Sequence, residues 1–152
     1  MKKGYAVIIT IIFVISILSG CGNTRKDIEL TTDNVTDYFQ FDSSYENLES
    51  HTAIGLIFTY TDVVINIYPV VSGSLANVKM KVEVNFPVTW KSTSNESAPG
   101  EEDDSKVVLD IVLPADGKYT SIQRIGRIGS SSKPTSACTF KIIEVSGTFT
   151  PY

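Results

Sequence analysis

The stretch Ala76 to Phe86, ANVKMKVEVNF, alternates without a break: Val78, Met80, Val82, Val84 and Phe86 are apolar, and Asn77, Lys79, Lys81, Glu83 and Asn85 are polar. Successive strand side chains point to opposite faces, so a period of two over this length predicts a strand with one face on a core and the other in water. Such a strand needs neighbours to pair with and a second layer to cover its apolar face.

Other segments supply them. Thr52 to Tyr60, TAIGLIFTY, and Val63 to Val70, VVINIYPV, are rich in β-branched and aromatic residues and are separated by Thr61 and Asp62, which fits either a hairpin or one long bent strand. KVVLDIVL, Lys106 to Leu113, ends at Pro114, and ADGK then supplies an Asp-Gly turn into Tyr119. Ala137 to Ser146 reads as a further strand, and Gly147 leads into a last short piece ending at Tyr152. About seven short strands punctuated by Gly, Pro, Asn, Asp and Ser predict a mainly β chain built as an antiparallel β-sandwich of immunoglobulin-like architecture, with a small barrel as the alternative.

One helix is expected. In TTDNVTDYFQF, Thr32 or Asp33 is placed to cap a short turn whose apolar residues Val35, Tyr38 and Phe39 fall at i, i+3 and i+4. A helix this short is stable only when docked, so it is expected against one end of the sandwich.

The N-terminus has a different character. MKKGYAVIITIIFVISILSG carries Lys2 and Lys3 ahead of an uncharged apolar run from Tyr5 to Leu18, the layout of a secretory signal. A spanning helix needs roughly 20 apolar residues, so an uncleaved anchor helix fits poorly. Leu18, Ser19, Gly20 and Cys21 resemble a bacterial lipobox. That resemblance implies that the Cys21 sulfur receives a diacylglycerol, that cleavage falls between Gly20 and Cys21, and that Cys21 becomes the first residue of the mature protein. Two acyl chains hold a protein stably where one binds marginally. The segment IELTTDNVTDYF, Ile28 to Phe39, just after this motif, is similar to the start of the mature domain in small, uncharacterised lipoproteins of Gram-positive bacteria, which implies a position on the outer face of the cell membrane.

The expected organisation is a signal peptide at 1–20, the lipidated Cys21 and a short tether at 21–27, and one β-sandwich domain at 28–152. A tether this short reaches on the order of 20 Å at about 3.3 to 3.6 Å per residue, so the domain sits near the bilayer with Arg25 and Lys26 close to the headgroups. Of the 13 basic residues, removal of Lys2 and Lys3 leaves 11 against 17 acidic, a formal charge of −6. That balance argues against nucleic acid as a partner. With Cys21 acylated, Cys138 in SACTFKIIEV has no disulfide partner and reads as a small buried hydrophobe.

Catalytic signals are sparse. The single histidine, His51, lies in NLESHTAIG at a loop-to-strand boundary, and no G-x-S-x-G nucleophile elbow accompanies it. It is expected to be solvated or capping. One histidine and one spare cysteine cannot assemble a zinc site. Glu101, Glu102, Asp103 and Asp104, with Glu96 nearby, are weak calcium candidates whose spacing departs from the EF-hand loop and whose setting suggests a solvated hairpin loop. RIGRIGSSSKPTS, Arg124 to Ser136, is the most basic local patch, read as a mobile loop with contact to anionic lipid as its functional alternative. Trp90, Tyr119 and Tyr45 are candidates for an exposed aromatic platform. The sequons at Asn34 and Asn95 are expected to be idle.

These signals predict a non-enzymatic extracytoplasmic lipoprotein without a cofactor, held to the membrane by diacylglyceryl Cys21 and binding a protein or an envelope polymer. A small-ligand or calcium-binding receptor domain is the alternative, and a hydrolase the third reading.

Overall fold

A computed structural model of the chain describes residues 25–93 and 105–152. The apolar N-terminal run, Gly20, Cys21, Asn95, Glu96 and the acidic residues Glu101 to Asp104 lie outside the described residues. Eight strands follow in chain order: β1 (Ile28–Glu29), β2 (Phe39–Ala53), β3 (Leu56–Pro69), β4 (Gly73–Asn85), β5 (Lys91–Ser92), β6 (Lys106–Val112), β7 (Tyr119–Ile128) and β8 (Thr139–Pro151). Two of them, β1 and β5, have only two residues each, which is why the sequence suggested fewer. They form two antiparallel four-stranded sheets, one ordered β1-β8-β4-β6 and the other β2-β3-β7-β5.

The alternating segment does what its period demands. Val78, Met80, Val82 and Val84 of β4 are buried together with Leu109 and Ile111 of β6, while Lys79 and Asp110 lie on the opposite, exposed face. In the other sheet Val63, Ile65 and Ile67 of β3 and Ile125 of β7 are buried. All belong to one hydrophobic core, which also contains Phe39, Trp90 and Phe149. Each such side chain contributes about 1.5 to 3 kcal/mol on full burial. Aromatic contacts join the sheets: Phe39 meets Phe149 edge-on at 6.0 Å, and Phe41 meets Phe140 at 5.9 Å.

The expected N-terminal helix is not formed. A single 3-10 turn, Val35–Asp37, occupies its place, and Phe39 already opens β2. Neither Thr32 nor Asp33 caps it; the N-cap is Asn34, whose side chain makes no cap bond and instead accepts from the Thr31 N–H at 2.8 Å and donates to the Glu29 carbonyl at 3.0 Å. Helix initiation at this length is costly. Pairing of Phe39 onward with Pro69 and the rest of β3 satisfies more backbone groups. Val35 is buried all the same, and the Tyr38 ring packs 5.0 Å from Phe149.

Of the two arrangements offered for residues 52–70, the structure adopts a variant of the long strand. Leu56 to Pro69 run without interruption, and Thr52 and Ala53 belong to β2 across a two-residue turn at Ile54 and Gly55. Both turn residues have positive φ, 52° and 73°, as a type I′ hairpin requires. The Asp-Gly turn closes through Gly117 N–H to the Pro114 carbonyl at 2.9 Å, but it carries the chain from β6 in one sheet to β7 in the other.

The connections define two ends. Arg25 stacks at 5.0 Å on the Tyr152 ring, and Tyr152 N–H bonds the Ser72 carbonyl beside the Pro69 end of β3. The Ile54 turn caps the other end, roughly 40 Å away along a strand of this length. Among the described residues no helix is long and apolar enough to cross a membrane.

Candidate functional site

The end of the molecule remote from Arg25 carries the most distinctive surface chemistry. Along β3 the inward positions near that end are Thr59 and Thr61, exposed by 0 and 1 %, and the outward ones are Phe58 and Tyr60. The polar pair is tolerated inside because its hydroxyls are spent: Thr59 donates to the Ser130 carbonyl and contacts the Ser50 hydroxyl, and Thr61 donates to the Glu46 carbonyl at 2.7 Å.

The outer face of that sheet holds a continuous stack. His51 on β2 lies directly across from Phe58, with ring centroids 5.5 Å apart and planes at 13°. It stacks equally on Tyr60, at 5.5 Å and 15°. The Arg124 guanidinium follows at 5.6 Å from the Tyr60 ring. Gly126 permits this, because Tyr60 pairs with it and a Cβ there would stand 2.9 Å from the ring.

Arg124 is held by two carboxylates, Glu49 and, at 3.1 Å, Asp62. A bulge in β2 organises the cluster: Asn47 and Leu48 oppose Thr61 alone, Asn47 has φ 50°, and its amide donates to Asp62 Oδ2 at 2.9 Å. The Asn47 hydrogen bond holds the Asp62 carboxyl below its ordinary value; burial works against this, and Arg124 adds to it.

His51 is therefore a strand residue within an aromatic stack and not a boundary residue. Chemically the stack is a half-buried aromatic and cationic ladder with His51 exposed, and its cation is already paired with two carboxylates. It offers ring surface and an imidazole for contact. Ile128 and Ile54, exposed by 61 and 99 %, extend the apolar character to the turn.

The three platform candidates lie elsewhere. Trp90 is 1 % exposed, in the core. Tyr119 packs half-buried against the core, as does Tyr45. The Tyr45 hydroxyl donates to the Ser136 carbonyl at 2.7 Å and lies 3.6 Å from Cys138 Sγ. Cys138 is buried, with its N–H on the Ser43 hydroxyl at 3.0 Å. Desolvation raises its thiol pKa, outweighing the hydrogen bonds from Tyr45 and Ser43, and burial followed by the Cys138 contact raises that of Tyr45.

The basic patch also separates. Arg124 to Ile128 form the end of β7, so only the remainder is loop, and Arg124 and Arg127 point to opposite faces of the sheet. The loop is tied to its surroundings at Gly129 by the Ile57 carbonyl, at Ser130 by Thr59, at Ser136 by Tyr45 and at Cys138 by Ser43. Among the described residues no three His, Cys, Asp or Glu side chains gather as a metal site.

The signal for the stack was present in the sequence: Phe58 and Tyr60 share the strand phase of Asp62, the phase opposite to Val63, Ile65 and Ile67. Its partner His51 was hidden because β2 has no apolar alternation beyond Tyr45. Compared with known proteins, the chain matches no family model, no curated protein and no solved structure.

Proposed function

We propose that this chain is a membrane-anchored extracytoplasmic lipoprotein whose domain is a non-enzymatic β-sandwich of immunoglobulin-like architecture. The observation that carries this reading is the LSGC motif at Leu18 to Cys21 behind a basic, then apolar, leader. Lipid on Cys21 anchors the chain, and residues 28–152 form the binding module of the cell envelope. Two sheets sharing one core support the sandwich.

The geometry gives the reading a direction. The short tether enters beside Tyr152, so an anchored domain presents the His51–Phe58–Tyr60–Arg124 stack and the Ile54 turn roughly 40 Å from the tether end, toward a protein or polymer partner. A second reading, a receptor for a small ligand, is favoured by a concave site beside Trp90 near the same end.

The test of the anchor is Cys21→Ala. Loss of lipid labelling with accumulation of uncleaved precursor is expected, and unchanged labelling and processing overturns the assignment. For the binding role, a photocrosslinker at Ile54 on intact cells should capture one specific neighbour, while the same probe at Lys118, in the turn at the opposite end, should not.

A further inference from the structure

We infer that the concave site between Trp90 and the Ser130 to Ser136 loop binds a phosphate group. The site has a volume of about 250 Å³, and its walls include Trp90, Arg127, Ser132, Lys133, Thr135 and Ser136. Its lining includes two cationic residues and three that carry hydroxyls, and no acidic side chain among the described residues lines it. That donor set suits a compact anion with several acceptor oxygens, because charge-assisted hydrogen bonds from guanidinium and ammonium groups are about twice as strong as neutral ones. A carboxylate would engage fewer of these donors than a phosphate does.

Arg127 is placed for such a role before any ligand arrives. It lies on the inner side of β7, its guanidinium 4.7 Å from the Trp90 ring centroid. One terminal nitrogen, Nη2, shares its two N–H groups among Ser130 Oγ and the Ser132 carbonyl, both at 2.7 Å, and Ser132 Oγ at 2.8 Å. Stacking and these bonds fix the plane of the group, so little rotamer entropy remains to be lost on binding. All of them fall on Nη2. The buried Nε has no partner and lies out of reach of the site, so a ligand there meets the guanidinium through its terminal nitrogens. The loop that contributes the remaining lining is tied down as well, since Tyr45 donates to the Ser136 carbonyl at 2.7 Å.

This inference deepens the binding-module reading by naming a ligand class, and it does not depend on the lipid anchor. The site lies near the end of β3 remote from the tether, so headgroups of the anchoring leaflet are not its source. Free phosphate or a terminal monoester and the phosphodiester of an envelope polymer remain, and they share the same chemistry.

The experiment is thermal unfolding of the full mature chain in neutral detergent, titrated at constant ionic strength with inorganic phosphate and, in a second arm, dimethyl phosphate against chloride. A saturable rise in Tm with phosphate and none with chloride is expected, since a ligand specific for the folded state stabilises by RT ln(1 + [L]/Kd). Lys133→Glu, at an exposed position, should keep the unliganded Tm within a degree or so and weaken the apparent affinity at least about tenfold. Lys118→Glu, at the opposite end, should leave it unchanged. A response to phosphate alone assigns a monoester or free ion, and a response to both anions assigns the diester as well. No saturable shift with either anion up to about 50 mM, where a millimolar site would be nearly full, overturns the inference. So does an affinity that Lys133→Glu leaves intact. Cys21 labelling is read separately, so failure of the anchor and failure of the phosphate site are told apart.

Discussion

Gly147 on β8 lies so close to Asn77 on β4 that a Cβ added to the glycine would stand 2.7 Å from the Asn77 carbonyl oxygen and equally near Val78 Cα. Here Asn77 and Val78 together face Gly147 alone, a bulge in which Asn77 has φ 53° and Gly147 φ 110°. The bulge bends the two long strands of this sheet and ends with the Leu30 N–H on the Gly147 carbonyl at 2.9 Å. Gly147→Ala must relieve both a backbone clash and a backbone conformation that L residues rarely adopt. A loss of about 3 kcal/mol or more is expected. Gly55→Ala is the control, because Gly55 also has positive φ but nothing within 4 Å of a new Cβ. It should cost about 1 kcal/mol. Urea unfolding of the two variants checks the difference.

The turn between β2 and β3 puts Ile54 at φ 52° with 99 % of its surface exposed. A β-branched side chain is disfavoured in the left-handed region, and type I′ turns prefer Asn-Gly. Ile54→Asn should therefore stabilise the domain by about 0.5 to 1 kcal/mol, read as a higher urea midpoint at unchanged slope. With the photocrosslinker moved to Leu56, exposed at the same turn, the Ile54→Asn variant is expected to lose the crosslinked neighbour while gaining stability.

How much of this was legible in the sequence follows from where the period-2 signal survives. In β4 the apolar phase is unbroken from Val78 to Val84, and its strand, its buried face and its exposed face were all readable. In β2 only Phe39, Phe41 and Tyr45 mark the inner phase; Ser43, Ser50 and Thr52 fill the rest, and the bulge at Asn47 and Leu48 shifts the phase midway. A polar edge strand with a phase slip has no sustained sequence period, and the apparent helix came from Val35, Tyr38 and Phe39, which fall at helical spacing although only Phe39 belongs to the strand. The RIGRIG segment misled for a different reason: it reads as Gly-rich loop, yet Gly126 sits in a strand to admit the Tyr60 ring. The His51 stack needed the register of β2 on β3, which no local pattern encodes. Trp90 and Tyr45 were offered as surface rings because nothing in their neighbours reveals that the 129–138 segment covers them.

Cys138 should behave as an inert thiol in the folded domain. It is 6 % exposed, and desolvation lifts its pKa above the ordinary value, which leaves it protonated and shielded at neutral pH. In a Cys21→Ser chain, where Cys138 is the one remaining thiol, reaction with a disulfide reagent should be slow in buffer and fast in urea, with native reactivity tracking the opening of the loop. The raised folded pKa also sets a sign. The contribution is fully present below the unfolded thiol value of about 8.5 and is lost as pH rises toward the folded one. Tyr45, likewise raised, extends the same loss above about pH 10. Cys138→Ala should flatten the fall in urea midpoint that begins above about pH 8.5, and Tyr45→Phe the part that begins above about pH 10.

Asp62 governs the acid limb. Its side chain is 17 % exposed, it accepts from Asn47 and pairs with Arg124, and its pKa is lowered in the fold. A lowered folded pKa contributes stability that is present above the unfolded carboxyl value of about 3.9 and disappears as pH falls through the folded value. Asp62→Asn keeps the shape and an acceptor for Asn47 but removes the charge opposite Arg124. A loss of about 1 kcal/mol at neutral pH is expected, the pair being partly open to solvent. The gap between wild type and variant should narrow as pH falls below the unfolded carboxyl value and close once it has passed the lower folded one. Glu49, the other partner of Arg124, is 64 % exposed, and Glu49→Gln should change stability by no more than about 0.5 kcal/mol. Chemical unfolding at pH 7 and at pH 3 distinguishes the two: a Glu49 effect as large as that of Asp62 would mean that the surface pair, and not the bulge-held carboxylate, anchors the guanidinium on Tyr60.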